Sequence, residues 1–403
     1  MTLDVVQTLC DLVRLPSVNP MGRKVTGDSD IYFEHRVTDY LEAKAKELGL
    51  PYERYVVSPQ RDNLILRVDG DPLPEQGGRI LMFEAHQDTV PIDGMTIPPF
   101  DPQIRDGRVY GRGSCDVKSG LAAMLTAVSR LAHEKPVGRA TVVLACTVNE
   151  EQGFSGALHW ADSYAGGETS THRSKLLPRV PDECVVAEPT KLDVVVAHKG
   201  AVRWRCRTGG RAAHSSAPQR GDNAVYHMAR VLAVIERYAK EVVGTLGDHP
   251  LVGPPTMSVG LISGGISVNT VPDECVIEID RRVLPGENPQ DAWRHAVDWI
   301  AAHVPPGTPV THDEPFLMSR GLADDRNGPL ADRLGAITRR HGGSGQRIGV
   351  PFGTDAPLYA LTGCPTVVFG GGSIEQAHTA DEWMPIDQLQ AATEILYELA
   401  CTP

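Results

Sequence analysis

The stretch "ATVVLACTVNEEQGFSG", residues 140–156, decides the fold, because an apolar run ends there beside two acids. The run from Val142 to Val148 is short, β-branched and bounded by polar residues, which predicts a buried strand. Glu150 and Glu151 follow the strand, and Gly153 then permits a turn. A solvated loop is the ordinary explanation of such a pair, so other parts of the chain must decide whether it is a site.

Apolar strands alternate with helical patterns on both sides of this stretch. The alternation predicts an α/β domain with a mixed, largely parallel sheet flanked by helices. The predicted strands are 63–68, 79–85, 141–148, 184–188 and 366–370, and the predicted helices are 31–48, 117–133 and 386–400. Ligands of such sheets bind outside the carboxyl ends of the strands.

The middle of the chain has a different pattern. Two helical segments and four strands in the order β-α-β-β-α-β predict an inserted α+β domain of ferredoxin-like topology. We therefore expect one domain built from residues 1–198 and 311–403, interrupted by an inserted domain at 199–310. Residues 163–181 are polar and turn-rich, and they are expected to form a long surface loop.

The composition excludes several classes of partner. The chain has 403 residues and a formal net charge of −12, which argues against binding to nucleic acid or to an anionic membrane. Asp4 and Asp11 lie where a signal peptide would be basic and then apolar. The eight cysteines form no CxxC pair, which favours free thiols and a cytoplasmic location.

Acids and histidines cluster where the predicted strands end. The residues concerned are His86 and Asp88, Glu150 and Glu151, Glu188, His378, and Asp116 at the start of a helix. Because parallel strands place their carboxyl ends at one edge of a sheet, we expect these side chains to converge. Each residue alone is a weak signal, since an acid that opens a helix is usually only a cap.

Five converging carboxylates would raise one another's pKa values and destabilise the fold. Bound dications remove that repulsion, and imidazole with carboxylate suits Zn²⁺, Co²⁺ or Mn²⁺ better than Ca²⁺. Two such metals about 4 Å apart form a site for hydrolysing amides or esters. One of the adjacent glutamates would then be a ligand, and its neighbour would be the general base.

Five segments in this order carry a resemblance to a known family: "AHQDTV", "YGRGSCDVKSG", "NEEQG", "AEPT" and "QAHTADEW". Together they resemble the M20 family of co-catalytic zinc amidohydrolases and peptidases, over nearly the whole chain. The resemblance implies a zinc-peptidase-like catalytic domain and an inserted lid domain through which the protein forms a homodimer. It also implies two divalent transition metals, with Zn²⁺ expected first and Co²⁺ or Mn²⁺ as alternatives.

The resemblance also assigns roles to the converging residues. His86, Asp116 and Glu188 resemble the ligands of one metal, and Asp116, Glu151 and His378 resemble those of the other, with Asp116 shared. Glu150 resembles the general base, and Asp88 resembles the acid that orients His86. The family pattern further implies a cis peptide bond between Asp116 and Val117.

The family pattern names binding residues in and after the inserted domain. His214 resembles the lid histidine that stabilises the oxyanion, often from the partner subunit. Asn269 and Arg282 resemble the groups that hold the substrate carboxylate. Gly353 and Thr354 offer donors near the same end. Strand alternation separates Arg282 from Arg281, and the resemblance favours Arg282.

The expected reaction is hydrolysis of an N-acyl amino acid. "FGTDAPL", residues 352–358, resembles the members that deacetylate N-acetylornithine more than the succinyl-diaminopimelate desuccinylases, because Asp355 follows Thr354 where those carry a serine. Aminoacylase, dipeptidase and carboxypeptidase activities stay open as alternatives. A non-catalytic binding protein on the same fold is a more remote one.

Overall fold

The computed structural model describes residues 2–25, 30–165 and 173–402. Over these ranges it contains nine α-helices: Val5–Val13 (α1), His35–Glu47 (α2), Lys118–Glu134 (α3), Ser155–Ala165 (α4), Ala224–Arg237 (α5), Pro289–His303 (α6), Gly328–Arg340 (α7), Ala356–Ala360 (α8) and Ile386–Cys401 (α9). The predicted helices correspond to α2, α3 and α9, with ends that differ by a few residues.

The same ranges contain eighteen strands. They are Tyr52–Ser58 (β1), Arg61–Val68 (β2), Ile80–His86 (β3), Gln103–Arg105 (β4), Arg108–Tyr110 (β5), Thr141–Thr147 (β6), Glu183–Ala187 (β7), Val194–His198 (β8), Gly200–Gly209 (β9), Ala213–His214 (β10), Thr256–Gly264 (β11), Thr270–Val271 (β12), Glu274–Val283 (β13), Val310–His312 (β14), Leu317–Ser319 (β15), Arg347–Val350 (β16), Thr366–Phe369 (β17) and Trp383–Pro385 (β18). The five predicted strands are β2, β3, β6, β7 and β17.

The chain divides into two compact units. The first comprises Met1–Val196, Asp324–Ile348 and Thr354–Pro403, and the second comprises Ala197–Ala323 and Gly349–Gly353. The second unit therefore begins two residues before the predicted insertion at 199 and extends beyond its predicted end at 310. It also includes the short segment Gly349–Gly353, which no feature of the sequence pattern separates from its neighbours.

The first unit is built around a mixed eight-stranded sheet. Its strand order is β1-β2-β6-β3-β7-β17-β8-β16. The four central strands β6, β3, β7 and β17 run parallel to one another. All residues of β3 and β6 are buried, as expected for a sheet covered on both faces. The predicted α/β class with a largely parallel sheet is confirmed, and the carboxyl ends of these four strands meet at one edge.

Helices α1, α3 and α9 pack together in the main apolar core of this unit. Helix α3 is buried along most of its length, which its small residues permit. The Lys118 side chain, at the start of α3, donates hydrogen bonds to the carbonyls of Leu12 (3.0 Å) and Leu15 (2.6 Å). Val117, not Asp116, occupies the N-cap position, so the Asp116 carboxylate is not used as a helix cap.

The second unit contains a five-stranded sheet with the order β11-β13-β9-β14, to which β15 adds at β9. Its elements follow one another as β9-α5-β11-β13-α6-β14, which is the predicted β-α-β-β-α-β unit. Strand β13 alternates buried and partly exposed residues. The buried residues of β9 and β13 pack with α5 and α6 in a second apolar core.

Two smaller predictions, the surface loop and the free thiols, concern the rest of the chain. The loop at 163–181 is only partly testable, because 166–172 lie outside the described residues, and 163–165 belong to α4. All eight cysteines are free thiols, and seven are buried. No helix among the described residues has the length and apolar character needed to cross a membrane.

Candidate metal centre and active site

The central element of the site is the Asp116 carboxylate, which lies between two histidines. His86 is the last residue of β3, and its Nε2 lies 3.3 Å from Asp116 Oδ1. His378 follows β17, and its Nε2 lies 3.2 Å from Asp116 Oδ2. Each carboxylate oxygen therefore faces a different imidazole, an arrangement that suits a carboxylate shared by two metals.

One glutamate accompanies each histidine. Glu188 follows β7 directly, and its Oε1 lies 3.9 Å from His86 Nε2. Glu151 lies in the turn after β6, and its Oε2 lies 3.4 Å from His378 Nε2. The structure thus groups His86 with Asp116 and Glu188, and His378 with Asp116 and Glu151.

The donor set fits divalent transition metals. One ligand atom each from His86, Asp116 and Glu151 lie within 4.8 Å of one another. Among the described residues, His86 Nε2 and Glu151 Oε1 are buried without a hydrogen-bond partner, which is costly unless a further group satisfies them. Imidazole nitrogens and carboxylate oxygens around that space are the ligands that Zn²⁺ and similar ions prefer.

The turn that carries Glu150 and Glu151 is held by Asp88. The Asp88 carboxylate is fully buried, and it accepts hydrogen bonds from the backbone N–H groups of Glu150 (3.1 Å) and Glu151 (3.2 Å). Its Oδ1 also lies 3.6 Å from His86 Nδ1. Asn19 donates a third hydrogen bond at 2.8 Å. Asp88 therefore touches both the histidine and the two-glutamate turn.

Burial and mutual repulsion dominate the titration of the metal-free site. Burial raises the pKa of Glu151 to about 7, and the nearby Asp116 charge adds to this. Burial also raises the pKa values of Glu150 and Glu188 well above their usual range. The pKa of His378 rises to about 11, because its ring donates to Asp116 and Glu151. The cluster therefore holds protons that a dication would have to displace.

This proton load predicts how metal stabilisation depends on pH. Glu151 and His378 have folded-state pKa values above their unfolded values, so their contribution to metal-free stability is lost as pH rises through about 7 and beyond. Metal binding meets less proton competition over the same interval. The increase in Tm that Zn²⁺ gives to chelator-treated protein should therefore be larger at pH 8 than at pH 6. An increment that is equal at both pH values, or larger at pH 6, would contradict the assignment.

The predicted binding residues other than Thr354 lie in the second unit. His214 and Asn269 come together there, because β10 pairs with β12 and the Ser215 N–H donates to the Asn269 carbonyl at 3.0 Å. Gly353 belongs to the same unit, whereas Thr354 belongs to the first. His214 and Asn269 are both exposed. Their part in substrate binding stays a prediction.

The two adjacent arginines of β13 have different surroundings. Arg281 is fully buried, and it donates to Glu287 at 2.8 Å. Arg282 lies on the partly exposed face, where its guanidinium donates to both carboxylate oxygens of Asp280, at 2.7 and 3.2 Å. Strand alternation therefore separates the two as expected. The guanidinium of Arg282 is engaged by Asp280, a partner that the sequence analysis did not anticipate.

Three further buried acids, Glu84, Asp355 and Glu382, were not predicted to belong to the site. The Thr147 hydroxyl donates a hydrogen bond to Glu84 on β3 at 2.5 Å, and a carboxylate oxygen of Asp355 lies 3.4 Å from the same hydroxyl oxygen. Burial raises the pKa of Glu84 to about 7 and that of Asp355 well above its usual range. Glu382 is likewise buried, four residues after His378. An acid inside the apolar run "RILMFEAH" was the available signal for Glu84.

With this geometry established, the comparison with known families identifies the class. The profile of peptidase family M20/M25/M40 matches residues 82–402. The chain belongs to this family and is a metal-dependent hydrolase of amide bonds.

Individual members of the family resemble this chain in sequence and in fold. The acetylornithine deacetylase of Vibrio parahaemolyticus serotype O3:K6 (strain RIMD 2210633) is 30% identical over 380 residues, which cover 90% of this chain and 89% of the relative. The fold matches that of an M20 family metallo-carboxypeptidase from Sulfolobus solfataricus, with a TM-score of 0.75, 16% identity and 99% coverage of both chains. It also matches a dinuclear metal-binding peptidase of the family from Bacillus subtilis, with a TM-score of 0.61, 16% identity, and coverage of 98% of this chain and 96% of that one.

Proposed function

We propose that this protein is a two-metal deacylase that hydrolyses N-acyl amino acids, with N-acetylornithine as its substrate and ornithine and acetate as products. The observation that carries the proposal is the position of Asp116, whose two oxygens face His86 and His378 at 3.3 and 3.2 Å. A single carboxylate between two imidazoles is the core of a two-metal hydrolase site. A binding protein on the same fold would not need that arrangement.

The proposed roles are those of metal ligands and of a general base that carries a proton. His86, Asp116 and Glu188 would hold one divalent metal, and Asp116, Glu151 and His378 would hold the other, with Zn²⁺ the first candidate. The pair would supply a water of lowered pKa and would polarise the scissile carbonyl. Glu150 would take a proton from the attacking water and deliver it to the leaving nitrogen. Glu150 is suited to this task because the Asp88 carboxylate accepts a hydrogen bond from its backbone N–H at 3.1 Å and so fixes its place in the turn.

His214 is prepared to donate a hydrogen bond. The backbone N–H and the hydroxyl of Ser216 lie 3.2 and 2.7 Å from His214 Nδ1. When these groups donate to Nδ1, the proton of the neutral ring is on Nε2. An exposed Nε2–H is the group that an oxyanion requires. Asn269, which lies beside it, and Arg282, Gly353 and Thr354 would bind the rest of the substrate, with Arg282 exchanging Asp280 for a substrate carboxylate.

The homodimer would form through the second unit. Strand β11 is the edge strand of its sheet, and Leu261 and Ile262 on it are 63% and 59% exposed. An exposed apolar edge strand is a template for pairing with another chain. A groove of about 690 Å³ lies beside it, lined by Leu232, Met257 and Val259 among others. These features favour association of two copies along this edge.

The substrate assignment is supported by the relatives, several of which are acetylornithine deacetylases at about 30% identity. Purified protein loaded with Zn²⁺ or Co²⁺ should be compared on N-acetylornithine, N-succinyl-diaminopimelate, N-acetylmethionine and dipeptides. We expect the highest kcat/KM on N-acetylornithine. Faster hydrolysis of dipeptides or N-acetylmethionine would replace this proposal with a peptidase or an aminoacylase. The proposed reaction would belong to arginine biosynthesis in the cytoplasm.

The oxyanion role of His214 has its own test. His214→Ala should lower kcat by about 10²-fold or more, because a donor used mainly in the transition state is removed. Metal content and Tm should stay unchanged, since His214 is exposed and lies in a different unit from the ligands. If the histidine acts across a dimer, mixing His214→Ala with Glu150→Gln should restore part of the activity. Absence of recovery after demonstrated subunit exchange would place His214 in the site of its own chain.

A further inference from the structure

We propose that Glu382 and Arg112, a buried acid–arginine clamp, fix the separation of Asp116 and His378. The clamp would thereby set the affinity of the metal that Asp116, Glu151 and His378 would hold, called here the second metal. In this role neither residue is a ligand, and both are positioning residues. The proposal rests on the proposed function, because the separation matters only if Asp116 and His378 share a metal. Failure of the clamp and failure of the proposed function nevertheless give different experimental results.

The Glu382 carboxylate gathers the loop that carries Asp116. Its Oε1 accepts hydrogen bonds from the backbone N–H groups of Cys115 (2.9 Å) and Asp116 (3.0 Å). Its Oε2 accepts from the Gly113 N–H (2.9 Å) and from Arg112 Nη1 (2.7 Å). Four donors therefore converge on one carboxylate, and one of them is the backbone amide of the shared metal ligand itself.

Arg112 completes the clamp on the side of His378. Its Nη2 donates to the carbonyl of Thr379 at 3.4 Å, directly after His378 in the chain. The side chains of Arg112 and Glu382 are 3% and 1% exposed. Water therefore does not compete for these hydrogen bonds, and charge-assisted hydrogen bonds of this kind are the stronger ones in proteins.

The two segments that the clamp joins are already paired by backbone. Strand β18 pairs antiparallel with β5, with Trp383 opposite Tyr110. The pairing continues to the next residue of each strand, because the Gly111 N–H donates to the Glu382 carbonyl at 3.1 Å. The clamp is therefore the end of a strand pair, placed where the chain turns into the metal-ligand loop on one side and towards His378 on the other.

His378 needs such support more than the other predicted ligands do. Its side chain is 51% exposed, and its backbone has a left-handed φ of 60°, a conformation that persists only when the surroundings impose it. His86 is instead the last residue of a fully buried central strand. Loss of the clamp should therefore weaken chiefly the metal held by Asp116, Glu151 and His378.

Glu382→Gln tests the clamp with little change in shape. The new amide group would present donors to two groups that are themselves donors, so the loop can keep only half of its hydrogen bonds. We expect the second Zn²⁺ to bind about 10- to 100-fold more weakly, as is typical when a supporting residue of a metal site is altered, with the first affected less. Competition with a chelator gives both affinities, and the visible spectrum of Co²⁺-loaded protein reports the second site's geometry.

Glu183→Gln is the matched control. Glu183 accepts hydrogen bonds from Arg79 (2.9 Å) and from Arg333, and its side chain is 12% exposed. It begins β7 beside Leu81, about 17 Å along β3 from His86 at the strand rise of about 3.3 Å per residue. The control should therefore lose stability but keep both metal affinities and the Co²⁺ spectrum.

The outcomes separate the two proposals. The clamp is supported if the wild type binds two metals and Glu382→Gln binds the second metal with lower affinity. Equal affinities in both proteins, or a loss that Glu183→Gln reproduces, overturns the clamp and leaves the proposed function intact. A wild type that takes up no metal overturns both. If Glu382→Gln does not fold, the arginine is tested instead. Arg112→Gln should lower the affinity for the second metal, and Arg112→Lys should return that affinity towards the wild-type value. Wild-type affinity in both arginine variants rejects the clamp.

Discussion

Glu150→Gln should lower kcat by about 10²- to 10⁴-fold while the protein keeps its fold and its metals. The substitution preserves the shape of the side chain but removes the only function proposed for it, which is carrying a proton between the water and the leaving nitrogen. Its backbone N–H remains available to Asp88, so the turn should not move. KM should change little, because the group is used mainly in the transition state.

The measurement needs kinetics and metal analysis on the same sample. Elemental analysis should give the wild-type stoichiometry. Tm should lie within a few degrees of the wild type, because the substitution keeps the volume of the side chain and leaves the Glu150 backbone N–H bound to Asp88. Glu183→Gln, at the opposite end of the parallel strands, is the control for a Glu→Gln change as such. Wild-type kcat in Glu150→Gln with full metal content would show that another group carries the proton.

Asp116→Asn should remove the metal pair. The carboxylate is the common neighbour of both histidines, and an amide offers one oxygen and a donor where two anionic oxygens are needed. We expect no more than one tightly bound metal and a fall in kcat/KM of roughly 10³-fold or more, because groups that act as a unit fail together. The Zn²⁺-dependent rise in Tm should shrink in proportion to the metal binding that is lost.

The fold should survive this change, since Val117 and not Asp116 occupies the N-cap of α3. Asp182→Asn provides the control: Asp182 precedes β7 and accepts the Ile80 N–H at 2.7 Å, at the end of the sheet away from the cluster. Two metals bound with wild-type affinity in Asp116→Asn would refute the sharing of this carboxylate and with it the two-metal assignment.

The sequence predicted the parts of the site that depend on strand ends. Glu188, His86 and the Glu150–Glu151 pair follow buried apolar runs, and the topology of a parallel sheet requires such ends to meet. The pairing of β3 with β6 and β7 in parallel register confirms that geometry. The cis peptide bond between Asp116 and Val117 is also present, although only the family resemblance suggested it.

The supporting contacts could not be predicted because they depend on tertiary packing rather than on periodicity. Nothing in the sequence around Asp280 indicates that its carboxylate accepts hydrogen bonds from Arg282, since both are ordinary surface residues on one strand face. Glu382 lies in the quoted segment "QAHTADEW", but a single acid near a histidine does not reveal that four donors converge on it. The boundaries of the second unit failed to follow from sequence for a similar reason, because a short return segment near 350 has no pattern of its own.

The hydrogen bonds of Asp88 have a consequence for engineering this enzyme. One carboxylate fixes the backbone of Glu150 and Glu151 and lies against His86, so we expect a substitution there to disturb the proposed proton carrier and the proposed metal ligand together. We therefore expect that a shift of the working pH range obtained at this position will be accompanied by weaker metal binding. Attempts to adapt the catalyst to acidic or alkaline media should start from more distant contacts and leave Asp88 as it is.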